Sequence, residues 1–398
     1  MLLRGWTPRL TSRRVRRRAP KASPGSLAAP RQRREVLLDV RCLQGPSAHR
    51  GIGTYARGLT RALSDAGFEY SALVDENLGP VDLPPAVTTV HPVRRRSHGR
   101  FAGYEDAIAL RSDLARIRPA LYHALTLTLP SSAPCPVVVT VHDLVPWAFG
   151  GWRMLGERLR HRVARRLLPR AEMIFAVSES TRKDLLEIAH VRESRIRVVY
   201  EGVDPAFVPR PGAAKRVEQR WGVAGRYYLF VGALDVRKDP RGLLRAWRAA
   251  NAAGAAGELV VAGVPGRQAP SDMGGARMLG HVSSEELVDL LSAAGCLLFP
   301  SLYEGFGLPA LEAMACGCPV VAYRNSSIPE VVGEAGVLVR NRDSQALGQA
   351  AADLVLDSDC RHLLVGRGLA QAARFSWKET ARRTIEGYQA LLAIITPS

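Results

Sequence analysis

Within this 398-residue chain, chemistry is most legible in Ser301-Leu302-Tyr303-Glu304-Gly305-Phe306-Gly307-Leu308-Pro309-Ala310-Leu311-Glu312. The apolar run over 296–299 reads as a strand, a loop with two glycines follows, and Pro309 suits the first position of a helix. Free N–H groups at such a helix start, together with the Gly305–Phe306–Gly307–Leu308 loop, make an anion site suited to a phosphate. Glu304 falls on the loop and Glu312 is expected within the first helical turn. A phosphate would repel both acids, but sugar hydroxyls on either side of it would donate to them. Taken singly, each also reads as an ordinary solvent-facing loop acid or helix-start acid; the whole string is harder to explain that way.

Around this string the chain alternates short β-rich runs with helical stretches. Strands are predicted over 36–40, 70–74, 121–122, 137–141, 173–177 and 196–200, with helices over 54–66 and 179–189. Pro205, Pro209, Pro211, Gly212, Gly222 and Gly225 then interrupt regular structure, which marks residues 206–225 as a linker. The alternation resumes with strands over 227–231, 258–262, 296–299, 320–322 and 337–339. Helices are expected over 242–251, 284–294, 309–316, 344–356 and 377–394. Strands apolar on both faces and separated by helices belong to parallel sheets covered on each side. The expected fold is α/β: two doubly wound Rossmann-like domains, residues 35–205 and 226–375, facing a central cleft that receives the carboxyl ends of both sets of strands. Residues 376–398 form the closing helix.

The composition is that of a globular protein, 47% hydrophobic and 23% charged, with no apolar run near the ~20 residues of a membrane-spanning helix. The net charge of +18 is concentrated: residues 1–34 carry eleven Lys or Arg and no acid, leaving 44 bases against 37 acids elsewhere. That segment reads as a disordered basic arm or a start assigned too early, and lacks the continuous apolar centre of a secretory signal. Six cysteines without a CxxC pair imply buried, reduced thiols and no metal site.

The motifs along residues 35–395 resemble, in order, those of the retaining glycosyltransferases of the GT4 family, which have the GT-B fold, and in particular its mannosyltransferase-like members. Glu304 and Glu312 match the family's E-x7-E segment, and Gly51-Ile-Gly53-Thr-Tyr-Ala-Arg its N-terminal glycine loop. Val139-Thr-Val-His142-Asp143-Leu resembles the "HD" strand end, and Val177-Ser-Glu-Ser the mid-domain motif. Phe230-Val-Gly232-Ala-Leu-Asp-Val-Arg237-Lys238 resembles the first strand and basic loop of the nucleotide domain. Phe375-Ser-Trp377 resembles the start of the helices that cross back onto the first domain. The resemblance implies that Glu312 holds ribose hydroxyls and Glu304 those of the donor sugar. Arg237 and Lys238 would neutralise the diphosphate, His142 would meet the sugar from the first domain, and Gly51 and Gly53 would bring backbone close to the reacting centre. No cofactor or metal is implied, because the two cations stabilise the leaving group. Three features depart from the pattern: Ala233 where many relatives carry Arg, Glu201 where Asn usually stands before Gly202-Val203-Asp204, and the basic arm.

The implied reaction moves a hexose, mannose from GDP-mannose foremost, from a nucleotide diphosphate sugar to an acceptor glycan, glycolipid or small molecule. It would serve glycolipid or cell-surface polysaccharide synthesis in the cytoplasm. Arg94–Arg96 and the arginines over 158–166 offer a basic face for peripheral contact with an anionic membrane, and residues 76–118 and 143–165 are the expected acceptor loops. UDP-glucose-type donors, or phosphorylase or epimerase activity, are alternatives within the fold. An NAD(P) oxidoreductase would use Gly51-Ile-Gly53-Thr-Tyr-Ala56 as its fingerprint, with Asp75 following, but residues 41–50 separate the first glycine from its strand. A nucleic-acid-binding protein would rest on the basic arm alone, and no specific nucleic-acid partner is expected.

Overall fold

The computed structural model describes residues 35–94, 102–148, 155–266 and 272–395. The basic arm, Arg95 and Arg96, and residues 396–398 lie outside the described residues.

The first half is a seven-stranded parallel sheet: β1 (Val36–Asp39), β2 (Tyr70–Asp75), β3 (Val87–Val93), β4 (Leu121–Ala124), β5 (Val137–Val141), β6 (Met173–Ala176) and β7 (Ile196–Val198). Its strand order is β3-β2-β1-β4-β5-β6-β7. The second half is a six-stranded parallel sheet: β8 (Tyr227–Val231), β9 (Glu258–Ala262), β10 (Arg277–Gly280), β11 (Cys296–Phe299), β12 (Val320–Arg324) and β13 (Val337–Arg340). Its order is β10-β9-β8-β11-β12-β13. Each order reverses once, between β1 and β4 and between β8 and β11, and such reversals open the crevices in which doubly wound folds bind ligands.

Central strands such as β5 and β8 are buried along their whole length, which only an apolar sequence on both faces permits. The two outermost strands that sequence reasoning missed, β3 and β10, are edge strands. Most of β3 is exposed, it carries Pro92, and neither has a continuous apolar run.

Helices α1 (Gly51–Asp65), α2 (Ala102–Ile117), α3 (Val145–Ala148), α4 (Leu155–Leu167) and α5 (Glu179–Glu187) cover the first sheet. The expected acceptor loops therefore contain β3, α2, α3 and most of α4. Residues 206–225 contain a further helix, α6 (Ala213–Trp221). Gly212 and Gly222 bound it in the left-handed conformation rather than break it. Val217 is buried, and Arg216 pairs with Asp289 at 2.7 Å. The second sheet carries α7 (Pro240–Ala252), α8 (Ser284–Ala293), α9 (Leu308–Ala315), α10 (Ile328–Val332), α11 (Ser344–Leu356) and α12 (Ser358–Ala372).

The final helix, α13 (Trp377–Ile395), returns to the first half. Its Trp377 ring lies against Gly58 of α1, where a Cβ would come within 2.2 Å of the indole, and Gly387 lies against Phe175 of β6 in the same way. One buried apolar cluster runs from Val36, Tyr55 and Phe175 through Phe306, Phe375 and Trp377 to Leu229 and Val260, so the two sheets share a core. No helix among the described residues is long and apolar enough to cross a membrane.

Candidate active site

Two loops at the carboxyl ends of β8 and β11 build the second half's side of the site. After β8, Asp235 caps a 3-10 turn over Val236–Lys238 by accepting from the N–H groups of Arg237 and Lys238, at 2.9 and 3.2 Å. After β11, the Leu302 N–H donates to the Arg237 carbonyl at 2.7 Å, which stitches the two loops together. Ser326 accepts from the Glu304 N–H at 2.9 Å, and the Ser327 hydroxyl reaches the carbonyls of Glu304 and Phe306 at 3.1 and 2.6 Å. Gly307, at φ 108°, is the cap of α9, a conformation that disfavours side chains with a Cβ. The helix starts at Leu308, so Pro309 is its second residue rather than its first, and Glu312 falls in the second turn rather than the first.

This scaffold brings Lys238 and Glu304 together as a buried ion pair, with the ammonium 4.8 Å from the centroid of the Phe299 ring. Arg237 lies 3.9 Å from the other Glu304 oxygen and 3.8 Å from Asp235. Burial alone would raise the Glu304 pKa; the charges of Lys238 and Arg237 and the Lys238 hydrogen bond outweigh it and hold the carboxyl below its usual range. Burial lowers the Lys238 pKa despite the opposing pull of Glu304. Glu304 thus occupies the cations that a diphosphate would otherwise meet.

Glu312 has a different environment. It is half-buried, and no cation pairs with it among the described residues. Burial, with the charges of Asp204 and Glu201, pushes its pKa up to about 7. Phe306 is buried with its ring against Tyr200 and Phe375, at centroid distances of 6.1 and 5.7 Å, so its side chain serves packing between the halves.

The first half meets these loops directly. His142 follows β5; its Nδ1 is 3.2 Å from Glu201 Oε1 and its Nε2 3.1 Å from the Leu125 carbonyl. A Cβ on Gly305 would lie 1.9 Å from the His142 carbonyl oxygen, so the glycine admits a backbone-to-backbone approach. The Ser178 hydroxyl donates to the Gly305 carbonyl at 2.6 Å. A Cβ on Gly51 would lie 3.9 Å from Leu308 Cδ1, whereas Gly53 is packed against the backbone of Ala48. Of the residues predicted from sequence, the structure brings Arg237, Lys238 and Glu304 together and sets Gly305 against His142 and Gly51 near Leu308. Glu312 instead lies near Asp204 and Glu201, and Gly53 and the ring of Phe306 are turned into packing.

Sequence reasoning missed Glu330, at the start of α10. Its two carboxylate oxygens accept from the N–H groups of Glu179 and Ser180 at 2.8 Å each, clasping the amino end of α5 across the cleft. An acid in the first turn after a proline was visible, but such a residue reads as complementing its own helix dipole. Tyr303 similarly donates across the cleft to Asp184. Among the described residues no three His, Cys, Asp or Glu converge as metal ligands.

Residues 225–357 match the family model for glycosyl transferases group 1, and residues 49–207 that for glycosyltransferase family 4. The O-antigen chain mannosyltransferase B of Escherichia coli is 28% identical over 368 residues, covering 86% of this chain and 96% of that protein. The D-inositol 3-phosphate glycosyltransferase of Thermobispora bispora is 34% identical over 396 residues, covering 85% and 89%. The sucrose-phosphate synthase structure from Thermosynechococcus elongatus superposes with a TM-score of 0.75 at 22% identity, over 91% of this chain and all of that one. Two facing doubly wound halves with a helix crossing back, the order of the motifs and this likeness over most of both chains make the protein a GT-B hexosyltransferase, belonging to the glycosyltransferases that those two family models describe.

Proposed function

We propose that the enzyme is a retaining transferase that moves mannose from GDP-mannose to the hydroxyl of a glycan or glycolipid acceptor in cell-surface polysaccharide synthesis. The observation that carries this reading is the buried Lys238–Glu304 pair with Arg237 beside it, on the loop whose next residue, Gly305, meets the backbone of His142 from the first half. A diphosphate drawing on the two cations would free Glu304 to accept from sugar hydroxyls. The bond from the sugar's anomeric carbon to the phosphate oxygen breaks while the acceptor oxygen bonds to that carbon on the same face, and the departing phosphate takes the acceptor's proton. Arg237 and Lys238 stabilise the growing phosphate charge, so the reading requires no metal. The choice of mannose follows the E. coli O-antigen relative and the Gly51 and Arg237–Lys238 motifs. The basic helix α4 suits an acceptor carried on an anionic membrane.

Nucleotide release from GDP-, UDP-, ADP- and dTDP-sugars, with Glu304→Ala alongside, tests the donor. Release from GDP-mannose that depends on Glu304 is expected. A preference for UDP-glucose would replace the donor, and no binding of any donor by thermal shift would overturn the reading.

The environment of Glu312 adds a pH dependence. The ionised carboxylate offers both oxygens as acceptors to two ribose hydroxyls, whereas the protonated acid turns one of them into a donor. A donor held in this way therefore binds with loss of a proton wherever free Glu312 is protonated. With its pKa at about 7, affinity should be level above that pH and weaken by up to about tenfold per unit below it. Calorimetric titration with GDP-mannose at several pH values measures this, and Glu312→Gln should flatten the profile. A flat profile in the unaltered enzyme would remove Glu312 from the ribose site.

A further inference from the structure

Glu201 stands where the family resemblance leads one to expect asparagine, and the transfer chemistry above gives it no task. It lies just after β7, where the chain leaves the first half, and it is buried. The neighbouring backbone is tightly held: Val203 pairs with Ser376, and a Cβ on Gly202 would lie 2.2 Å from the backbone nitrogen of Trp377. Glu201 Oε1 is 3.2 Å from His142 Nδ1, while the Leu125 carbonyl is 3.1 Å from Nε2 of the same ring. A carbonyl oxygen and an ionised carboxylate are both acceptors only. The ring satisfies both only when both nitrogens carry hydrogen. A neutral imidazole could donate to only one of them. The ring also packs edge-on against Tyr55, with centroids 4.7 Å apart and planes at 83°.

We propose that Glu201 is a positioning residue for the transfer reaction, pinning His142 as a doubly donating imidazolium where the first half meets Gly305, the residue after Glu304. An asparagine could offer an acceptor there but no countercharge. This rests on the reading of the cleft as the transfer site. The groups that face His142 agree with it. Glu201 approaches from the connecting segment and Asp143 from the loop after β5. From α1 comes Tyr55, whose hydroxyl is bonded to Thr140. From β4 comes His123, its ring nitrogens 2.5 Å from the Tyr388 hydroxyl and 2.9 Å from Thr140. Burial, with the nearby charge of His142, drives the His123 pKa down to about 3, so it stays neutral. Burial would also lower the His142 pKa, but the Glu201 bond and charge, the Leu125 carbonyl and Asp143 outweigh it, and His142 titrates above the ordinary 6.5.

The test is ¹⁵N NMR titration of the histidines in the full chain, with His142 identified by the signal missing in His142→Asn. Both His142 nitrogens should be protonated at neutral pH, with a midpoint above 6.5. Glu201→Gln should lower that midpoint by about one pH unit or more, and Glu201→Asp should keep it high. In turnover of GDP-mannose, the alkaline limb of kcat should move to lower pH in Glu201→Gln, with donor KM changed less than kcat. A midpoint at or below 6.5 in the unaltered enzyme, or a midpoint or alkaline limb unmoved by Glu201→Gln, overturns the proposal. If Glu201→Gln does not fold, the unaltered enzyme's midpoint decides. Because the titration uses no substrate, absent turnover would count against the transfer reading while the pair is still judged by NMR.

Discussion

Lys238→Met and Glu304→Gln are each expected to lower turnover by a factor on the order of 10²–10³ and stability by about 3 kcal/mol. The double variant should regain most of the stability and none of the turnover. The two carboxylate and ammonium groups are buried against each other, so removing one strands the other in a medium that solvates it poorly. Arg237, 3.9 Å from Glu304 and held also by Asp235, compensates only in part. Removing both charges takes away the Coulombic attraction and the desolvation penalty together, which is why buried pairs contribute little net stability. Turnover follows a different logic, because the proposed transition state needs the ammonium at the phosphate and the carboxylate at the sugar. Urea denaturation and donor turnover on the three variants separate the two effects. Stability losses that simply add in the double variant would show that the groups are not coupled.

Gly305→Ala should reduce turnover about 100-fold while each half keeps its fold. The added Cβ would sit 1.9 Å from the His142 carbonyl oxygen and 3.1 Å from the Asp143 Cβ, and neither is the far end of a side chain that can swing away. The halves must separate at this point, lengthening the Ser178 and Thr181 hydrogen bonds to the Gly305 carbonyl, now 2.6 and 3.3 Å. Displacing reacting groups by about 1 Å is enough for a loss of that size. Overpacking of this kind costs stability by about 1–3 kcal/mol. Gly79→Ala is the control, since a Cβ there meets nothing within 4 Å. The checks are turnover and small-angle scattering, in which Gly305→Ala should have the larger radius of gyration. Unchanged turnover would mean that the reacting state does not use the contact between Gly305 and His142.

The central strands were legible because burial on both faces leaves an uninterrupted apolar run: β5, β8, β9 and β11 have the limits that their residues suggest. The edge strands β3 and β10 were not, because a strand with one neighbour and a wet face needs no such run. Helix α6 was hidden by its own punctuation, since glycines that end a helix and glycines that abolish one look alike in sequence. Around the site, the order of motifs along the chain was enough to bring Glu304, Lys238, His142 and the Gly51 loop under consideration together. What sequence alone determined was thus the alternation of elements and the two sheets, through apolar periodicity and cap chemistry that act over a few residues. Tertiary structure decided the partnerships: Lys238 with Glu304 across 66 residues, His142 with Glu201 across 59, Ser178 with Gly305 across 127 and Glu330 with Ser180 across 150. A charge or hydroxyl leaves no local mark of its distant partner, because its pairing is set by where two sheets and a returning helix bring their loops, and burial then makes that pairing strong.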